Sequence, residues 1–354
     1  MDAQNSPSIS RPSISPESVM LRPLLLKPQW MNGLSEQMLV GHYIDHYGGA
    51  VRLLNEIRVR LTGADWARMS SFEIDGLKRA ELMVAGSVIL HEIYFESLGG
   101  HGDNPPSGRL EPPPPFAQAL ARDFGSVEAW HVAFTAMTKA LGGGTGWAIL
   151  AWSPRLDRLV NQWAADPAHA LAGATPILAL DMDEQAYHLD FGTDTAAYVD
   201  QVMLNLNWAR IGARYLLAIG EDADEDALFL PYGSPPDAQA RISAEELKAT
   251  LEKGDQPPLL LDLCLPRDLP RRTDMLPGAA MHAPAALPQW VETLPRERPI
   301  AVYCICGFQV SGRAVTELRK RGYDARAVAG GITAWHAIGG ATVPLDTSTY
   351  EKEP

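Results

Sequence analysis

The sequence has few cysteines, no long apolar run and no dense cluster of basic residues. Its 354 residues include three cysteines, Cys264, Cys304 and Cys306, all in the C-terminal third. Three cysteines in a chain of this length do not form a disulfide framework, so we expect reduced thiols. No apolar run approaches the roughly 18–20 residues needed to span a bilayer, so we expect no membrane partner.

Positive charge is also scarce. The chain has 30 Lys and Arg against 43 Asp and Glu, a net charge of −13, which argues against nucleic acid as a partner. The N-terminal stretch MDAQNSPSISRPSISPES is rich in Ser and Pro and lacks the apolar core of a secretory signal. We therefore expect a disordered tail over residues 1–20 and a cytoplasmic protein.

The chain is longer than one typical domain, and its composition changes abruptly once. The stretch GEDADEDALFLPYGSPPDAQA is acidic and then rich in Pro and Gly, which is typical of a linker. We predict a first domain over 21–220, a linker over 221–240, a second domain over 241–346 and a tail over 347–354.

The first domain combines helical and strand patterns. Apolar residues at three- and four-residue spacing predict helices over 34–63, 75–100 and 124–144, with Ser126 as the N-cap of the third. The segments GWAILAW, RLVNQW and TPILALD predict three strands, and residues 194–220 predict a closing helix. A helical hairpin followed by a small sheet and more helices is an α+β domain.

The second domain alternates helices with apolar strands. RISAEELKATLEKG predicts a helix capped by Ser243, and SGRAVTELRKRGY predicts another. PLLLDLC and PIAVYC are nearly continuous apolar runs, as in buried parallel strands. This alternation predicts an α/β domain with a parallel sheet.

Two histidines on the predicted helices, His42 and His91, gain interest from the later stretch LDMDEQAYH. A lone histidine on a helix is more often a core or surface residue than a ligand. The order of one histidine on each hairpin helix and an aspartate after the last strand resembles the iron/manganese superoxide dismutase family. The resemblance covers about residues 25–218 and includes LSEQMLVGHYIDHY, HEIYFESLGG, FGSVEAWHVAFT, GTGWAILAW, TPILALDMDEQAYHLDF and YVDQVMLNLNWARIGARY.

The resemblance implies a site for iron or manganese that converts superoxide to oxygen and hydrogen peroxide. Its ligands fall on His42, His91 and Asp181, and Gln185 stands where the family has a fourth ligand, a histidine. A glutamine can bind a metal through its carbonyl oxygen but is a weaker donor than imidazole. The first three alone make a two-histidine, one-carboxylate triad, which iron(II) accepts.

Residues around these ligands also depart from the family pattern. Ala50, Asp183 and Ser87 stand where the family has a tyrosine, a tryptophan and a glutamine near the metal. Trp147, at the start of the first strand, is expected beside the site.

The resemblance also implies a homodimer, with Glu184 and His188 at the seam and His46 as the histidine reached from the second copy.

Cys304 follows the apolar strand PIAVY and precedes a glycine-containing loop and a helix. Helix N-termini and loop N–H groups bind anions such as a persulfide or thiosulfate. Together with ISAEELKATL, LLLDLC, LPGAAMHAP and VAGGITAW, the stretch VYCICG resembles the rhodanese domain over roughly residues 240–345. The resemblance places the sulfur-carrying nucleophile at Cys304, although the loop is one residue longer than usual and lacks its arginine.

Three interpretations of this second site remain open: sulfur transfer between a donor and an acceptor through a Cys304 persulfide, a redox-sensing cluster with Cys264 and Cys306, or an inactive module. For the whole chain, the resemblances imply a dismutase with an appended sulfurtransferase or thiol-redox module, acting in oxidative stress. The alternative is a catalytically impaired dismutase-like scaffold that dimerises and presents the second domain.

Overall fold

The computed structural model describes residues 18–100, 104–142, 145–169, 171–223, 230, 232–235, 237–254 and 256–350. Contacts divide the chain into a first unit, Leu25–Leu230, and a second unit that runs from Pro231 onward and includes residues 18–24. Much of the predicted tail over 1–20, and parts of the predicted linker over 221–240 and tail over 347–354, lie outside the described residues. Within the described ranges, no helix is long and apolar enough to cross a membrane.

The first unit begins with the predicted helical hairpin. Its arms are α1 (Glu36–Gly41), a π-helical segment (His42–Tyr47) and α2 (Gly48–Thr62), followed by α3 (Ser71–Glu96). The helix α3 begins earlier than the predicted residue 75 because Ser70 and Glu73 form a capping box, in which each side chain bonds the other's backbone N–H.

Two further helices and a three-stranded sheet follow the hairpin. They are α4 (Pro114–Phe124), α5 (Val127–Ala140), β1 (Trp147–Ser153), β2 (Arg158–Ala164) and β3 (Thr175–Asp181). The predicted N-cap of α5 is confirmed, since the Ser126 hydroxyl accepts a hydrogen bond from the Ala129 N–H at 3.0 Å. The sheet is antiparallel in the order β2-β1-β3, and every residue of the central β1 is buried. Its register pairs Trp147 with Asp181.

The predicted closing helix over 194–220 is two helices. After the short α6 (His188–Phe191), α7 (Thr195–Leu204) ends before a break, and α8 (Trp208–Ala218) follows it. The buried Asn205 side chain exchanges two hydrogen bonds of 2.8 Å with the Asn32 backbone, and the Asn207 side chain caps α8. Asparagine side chains compete with helical hydrogen bonds in this way, which explains the break.

The second unit has the predicted parallel sheet. Its elements are β4 (Arg241–Ile242), α9 (Ala244–Lys253), β5 (Leu259–Leu263), β6 (Asp274–Met275), β7 (Ala280–His282), α10 (Leu287–Trp290), β8 (Ile300–Tyr303), α11 (Gln309–Lys320), β9 (Ala325–Val328), α12 (Gly331–Ala337) and β10 (Val343–Pro344). The main sheet runs β4-β9-β8-β5-β7 with every pairing parallel, and β6 and β10 form a small antiparallel pair. Ser243 caps α9, as predicted.

A buried ion pair lies beside the central strands of the second unit. The Arg272 guanidinium donates to both carboxylate oxygens of Asp262 on β5, at 3.2 and 2.6 Å, and to the Asp274 carbonyl at 2.9 Å. The two side chains are 5% and 0% exposed. Removing one member of such a pair leaves an uncompensated charge inside the protein.

We therefore expect Asp262→Ala to lower the free energy of unfolding of the second unit by about 3–5 kcal/mol. Urea denaturation followed by circular dichroism measures the change. The control is Glu317→Ala, which breaks an ion pair with Arg321 whose side chains are 34% and 39% exposed, and it should have a much smaller effect. Equal effects of the two substitutions would contradict the importance of the buried pair.

Candidate metal centre

Three buried side chains of the first unit point their ligand atoms at one another. His42 Nε2 lies 3.0 Å from Asp181 Oδ2 and 3.1 Å from His91 Nε2, and His91 Nε2 lies 3.5 Å from Asp181 Oδ2. Among the described residues, these three make up the group of His, Cys, Asp and Glu side chains with a spacing that could hold a metal ion. The structure therefore brings together the first three predicted ligands.

Each of the three comes from a different element. His42 opens the π-helical segment of the hairpin, His91 lies in the C-terminal part of α3, and Asp181 is the last residue of β3. A π-helical turn widens the helix locally and often occurs at functional sites. Pairing of Asp181 with Trp147 places the carboxylate beside β1, and the Trp147 ring lies 5.0 Å from the His91 ring. Trp147 thus lies beside the three converging side chains.

Hydrogen bonds orient two of the candidate ligands. His91 Nδ1 lies 2.8 Å from the Ser87 carbonyl oxygen, which requires the proton on Nδ1 and leaves the Nε2 lone pair free. Asp181 Oδ1 accepts the Asp183 backbone N–H at 2.9 Å, so Oδ2 is the oxygen that faces the histidines. The Tyr198 hydroxyl donates to the Asp181 carbonyl at 2.9 Å. No sequence pattern points to Tyr198, because its contact depends on how α7 packs.

Burial sets the protonation of the cluster. It lowers the pKa of His42 to about 3 and that of His91 to about 4, with neighbouring histidines adding to the effect. Burial also raises the pKa of Asp181 to about 6. At pH 7 both imidazoles are therefore neutral and the carboxyl group is mainly ionised, which are the forms that bind metals.

These donors fit a cation. Asp181 Oδ2 is buried without a hydrogen-bond partner among the described residues, although it faces two imidazole nitrogens. Because His91 carries its proton on Nδ1, its Nε2 brings a second lone pair into the same space. Two imidazoles and one carboxylate with further positions open form the ligand set that iron(II) accepts, and imidazole and carboxylate also bind manganese.

Gln185, the fourth predicted ligand, lies half-buried in a single 3₁₀ turn, Glu184–Ala186, just after β3. Its Nε2 donates to Asp183 Oδ2 at 3.3 Å. Asp183 Oδ1 accepts the Gly146 N–H at 2.8 Å. Burial, followed by the nearby charge of Asp181, raises the pKa of Asp183. The structure thus places the extra carboxylate beside the glutamine rather than among the three converging ligands.

The residues predicted at a dimer seam lie on the surface of the first unit. His46, Glu184 and His188 are all exposed. The His46 ring lies 5.9 Å from the His42 ring, so this surface begins directly outside the site. The Tyr47 ring lies on another side of the site, stacked against the His91 ring with their centroids 6.2 Å apart. The Tyr47 hydroxyl donates to Glu92 at 3.1 Å.

In the second unit, Cys304 lies at the carboxyl end of β8. It is 6% exposed, and its Sγ lies 3.4 Å from the Ser311 hydroxyl in the first turn of α11. The following loop is held tightly: a Cβ on Gly331, whose φ is +57°, would come within 2.1 Å of the Cys304 carbonyl oxygen. The thiol therefore lies just before the N-terminal turn of α11. Helix N-termini favour anions through the helix dipole.

The other two thiols differ from Cys304. Cys264 follows β5 and is buried, and burial raises its pKa to about 11, so it stays protonated at neutral pH. Cys306 is half-buried, with its Sγ 3.9 Å from the Thr333 hydroxyl. All three cysteines are free thiols in the structure.

Comparison with known proteins places the first unit in a family. A family model described as iron/manganese superoxide dismutases, C-terminal domain, matches residues 112–214, which include Asp181 and Gln185. An iron superoxide dismutase of Cupriavidus metallidurans is 51% identical over 199 residues, covering 56% of this chain and 97% of the relative.

More distant relatives carry either metal in their names. An iron superoxide dismutase of Aquifex aeolicus is 31% identical over 196 residues, covering 54% of this chain and 88% of the relative. A manganese superoxide dismutase of Haloferax volcanii is 31% identical over 187 residues, covering 52% of this chain and 89% of the relative. With nearly the whole length of the Cupriavidus protein matched at this identity, the chain belongs to the iron/manganese superoxide dismutase family.

Proposed function

We propose that the protein is a superoxide dismutase whose iron or manganese ion is held by His42, His91 and Asp181. The observation that carries this proposal is the convergence of three buried ligand atoms within 3.0–3.5 Å. The family membership, and relatives named for iron or manganese, support the choice of metal. When bound, the ion supplies the one-electron chemistry that converts superoxide to oxygen and hydrogen peroxide.

The surrounding residues prepare the site for that chemistry. The Ser87 carbonyl and the Asp183 N–H fix which atoms of His91 and Asp181 face inward. The buried rings of Trp147, Tyr94 and Phe95 pack around the two histidines and exclude bulk water. A dry, preorganised site strengthens every electrostatic interaction with the ion and the superoxide anion. Gln185 supplies the fourth donor in this proposal, as a weaker ligand than histidine.

We also propose a homodimer through the exposed surface that carries His46, Glu184 and His188. This surface lies immediately outside His42. The Gln185 side chain is half-buried in the same turn as the exposed Glu184, so a second copy seated there would lie close to the fourth ligand position.

For the second unit we propose a rhodanese-like sulfurtransferase with Cys304 as nucleophile. The position of Cys304 between a parallel strand and the start of a helix supports it. The Cys304 thiolate would take the outer sulfur of thiosulfate, releasing sulfite and forming a persulfide. Cyanide would then take that sulfur as thiocyanate and restore the thiolate.

The first prediction from this proposed function concerns metal content. Wild-type protein loaded with iron or manganese should hold about one ion per chain, and His91→Ala should lose most of it because one of three buried ligands is gone. Elemental analysis after desalting measures both. The control His169→Ala removes a histidine that is 63% exposed and should leave metal content unchanged. A wild-type protein without metal would favour the scaffold alternative.

The second prediction concerns the fourth ligand position. Gln185→His should raise metal affinity by on the order of tenfold, because imidazole is a stronger donor than a carboxamide oxygen. The dismutation rate per bound metal should rise with it. Chelator competition and a superoxide assay on the same preparations measure the two quantities. No gain in either would show that position 185 is remote from the metal.

The third prediction concerns the second unit. Cys304→Ser should abolish thiosulfate-to-cyanide sulfur transfer, because a hydroxyl cannot carry the sulfur, while Cys306→Ser should retain it. Thiocyanate formation is the measurement. An unchanged rate in Cys304→Ser would remove this cysteine from the mechanism, and loss in both variants would point to the thiol cluster instead.

A further inference from the structure

Asp183 and Gln185 form a hydrogen-bonded pair next to the ligand Asp181. The pair lies in the chain directly after β3, where the backbone leaves the sheet and enters the 3₁₀ turn Glu184–Ala186. Asp183 acts on the site in two ways. Its backbone N–H orients the Asp181 carboxylate, and its side chain accepts from the Gln185 amide.

The Asp183 carboxylate is anchored independently of any metal. Its Oδ1 accepts the Gly146 N–H at 2.8 Å. Gly146 has a φ of +130°, and a Cβ there would come within 2.3 Å of the Ala164 carbonyl oxygen, so glycine is required. The Gly146 carbonyl in turn accepts the Met182 N–H at 2.9 Å. This N–H donor therefore has a fixed position, and it determines where the carboxylate lies.

The carboxylate also determines which end of the Gln185 amide faces it. An ionised carboxylate only accepts hydrogen bonds, so the amide must present its NH2 group, here at 3.3 Å. The reverse orientation would place the amide oxygen against a carboxylate oxygen. With Nε2 engaged, Oε1 is the atom that Gln185 has left to offer a cation.

We infer that Asp183 is a positioning residue that turns the carbonyl oxygen of Gln185, rather than its amino group, toward the metal. This inference rests on the proposed function. The donor set then contains two imidazole nitrogens and two oxygens. Without Asp183, the glutamine could present either end of its amide, and the NH2 end cannot bind a cation.

Two substitutions of Asp183 remove the same negative charge but affect the Gln185 amide differently. They therefore distinguish a positioning role from a structural or an electrostatic one. In Asp183→Asn, the Gly146 N–H must be met by the asparagine oxygen, so the asparagine NH2 faces Gln185 and forces its amide to invert. In Asp183→Ala, the amide rotates freely and can still offer its oxygen. We therefore expect the metal dissociation constant to rise by about 10–100-fold in Asp183→Asn and by less in Asp183→Ala.

The measurement is competition of the full-length protein with a chelating dye for Mn²⁺, and for Fe²⁺ without oxygen. Thermal unfolding of the metal-free proteins serves as the folding control. A merely structural role predicts the opposite order, because alanine also leaves the Gly146 N–H without its acceptor, whereas asparagine keeps that bond. A purely electrostatic role predicts equal effects, since both variants lose one negative charge.

Both substitutions are repeated in the Gln185→His variant, where no amide remains to be oriented. The difference between Asn and Ala at position 183 should disappear there. Equal or reversed effects in the wild-type background, or a difference that persists in the Gln185→His background, would overturn the inference while leaving the dismutase proposal intact. A wild-type protein that binds neither Mn²⁺ nor Fe²⁺ would overturn both.

Discussion

The close approach of three electron-rich atoms inside an apolar shell is the constraint on which the first unit depends. His42 Nε2, His91 Nε2 and Asp181 Oδ2 meet where burial disfavours protonating either imidazole. A bound cation would satisfy all three at once, and the fold holds them together. It does so with the Ser87 carbonyl, the Asp183 N–H and a sheet register that places Asp181 opposite Trp147. Most of these restraints come from the backbone, which no side-chain substitution removes directly.

The sequence predicts the elements of both units well, because their apolar periodicity is strong. The hairpin helices, the three strands and the parallel sheet all follow from this periodicity, and the resemblance to a family supplies the three converging candidate ligands. The features that the sequence does not predict depend on tertiary packing or on side chains that compete with backbone hydrogen bonds. The break at Asn205 arises because its side chain bonds the Asn32 backbone, a contact made 173 residues away. Tyr198 reaches Asp181 only through the placement of α7, and the pairing of Asp183 with Gln185 depends on the Gly146 N–H.

In the second unit, the sheet topology determines where the cysteines lie, because the carboxyl ends of adjacent parallel strands meet at one edge of the sheet. Cys264 and Cys304 follow the paired strands β5 and β8, yet their surroundings differ. Burial keeps the Cys264 thiol protonated, whereas Cys304 precedes the start of α11 and lies against the Ser311 hydroxyl. A protonated thiol is a weak nucleophile, so burial disfavours Cys264 as a reactive thiol at this edge.

Asp183 would have opposite consequences for the two ions of the proposed site, the metal cation and superoxide. Its charge already acts on His42, where it favours the protonated form against the larger effect of burial, so it would also attract a metal cation. The same charge repels superoxide, in a chain whose net charge of −13 offers no general attraction for anions. A site with a histidine as fourth ligand can retain its metal without a second carboxylate. With Gln185 as the proposed and weaker fourth donor, the extra carboxylate would both attract the cation and orient the amide, so the proposed site would favour metal retention over attraction of superoxide.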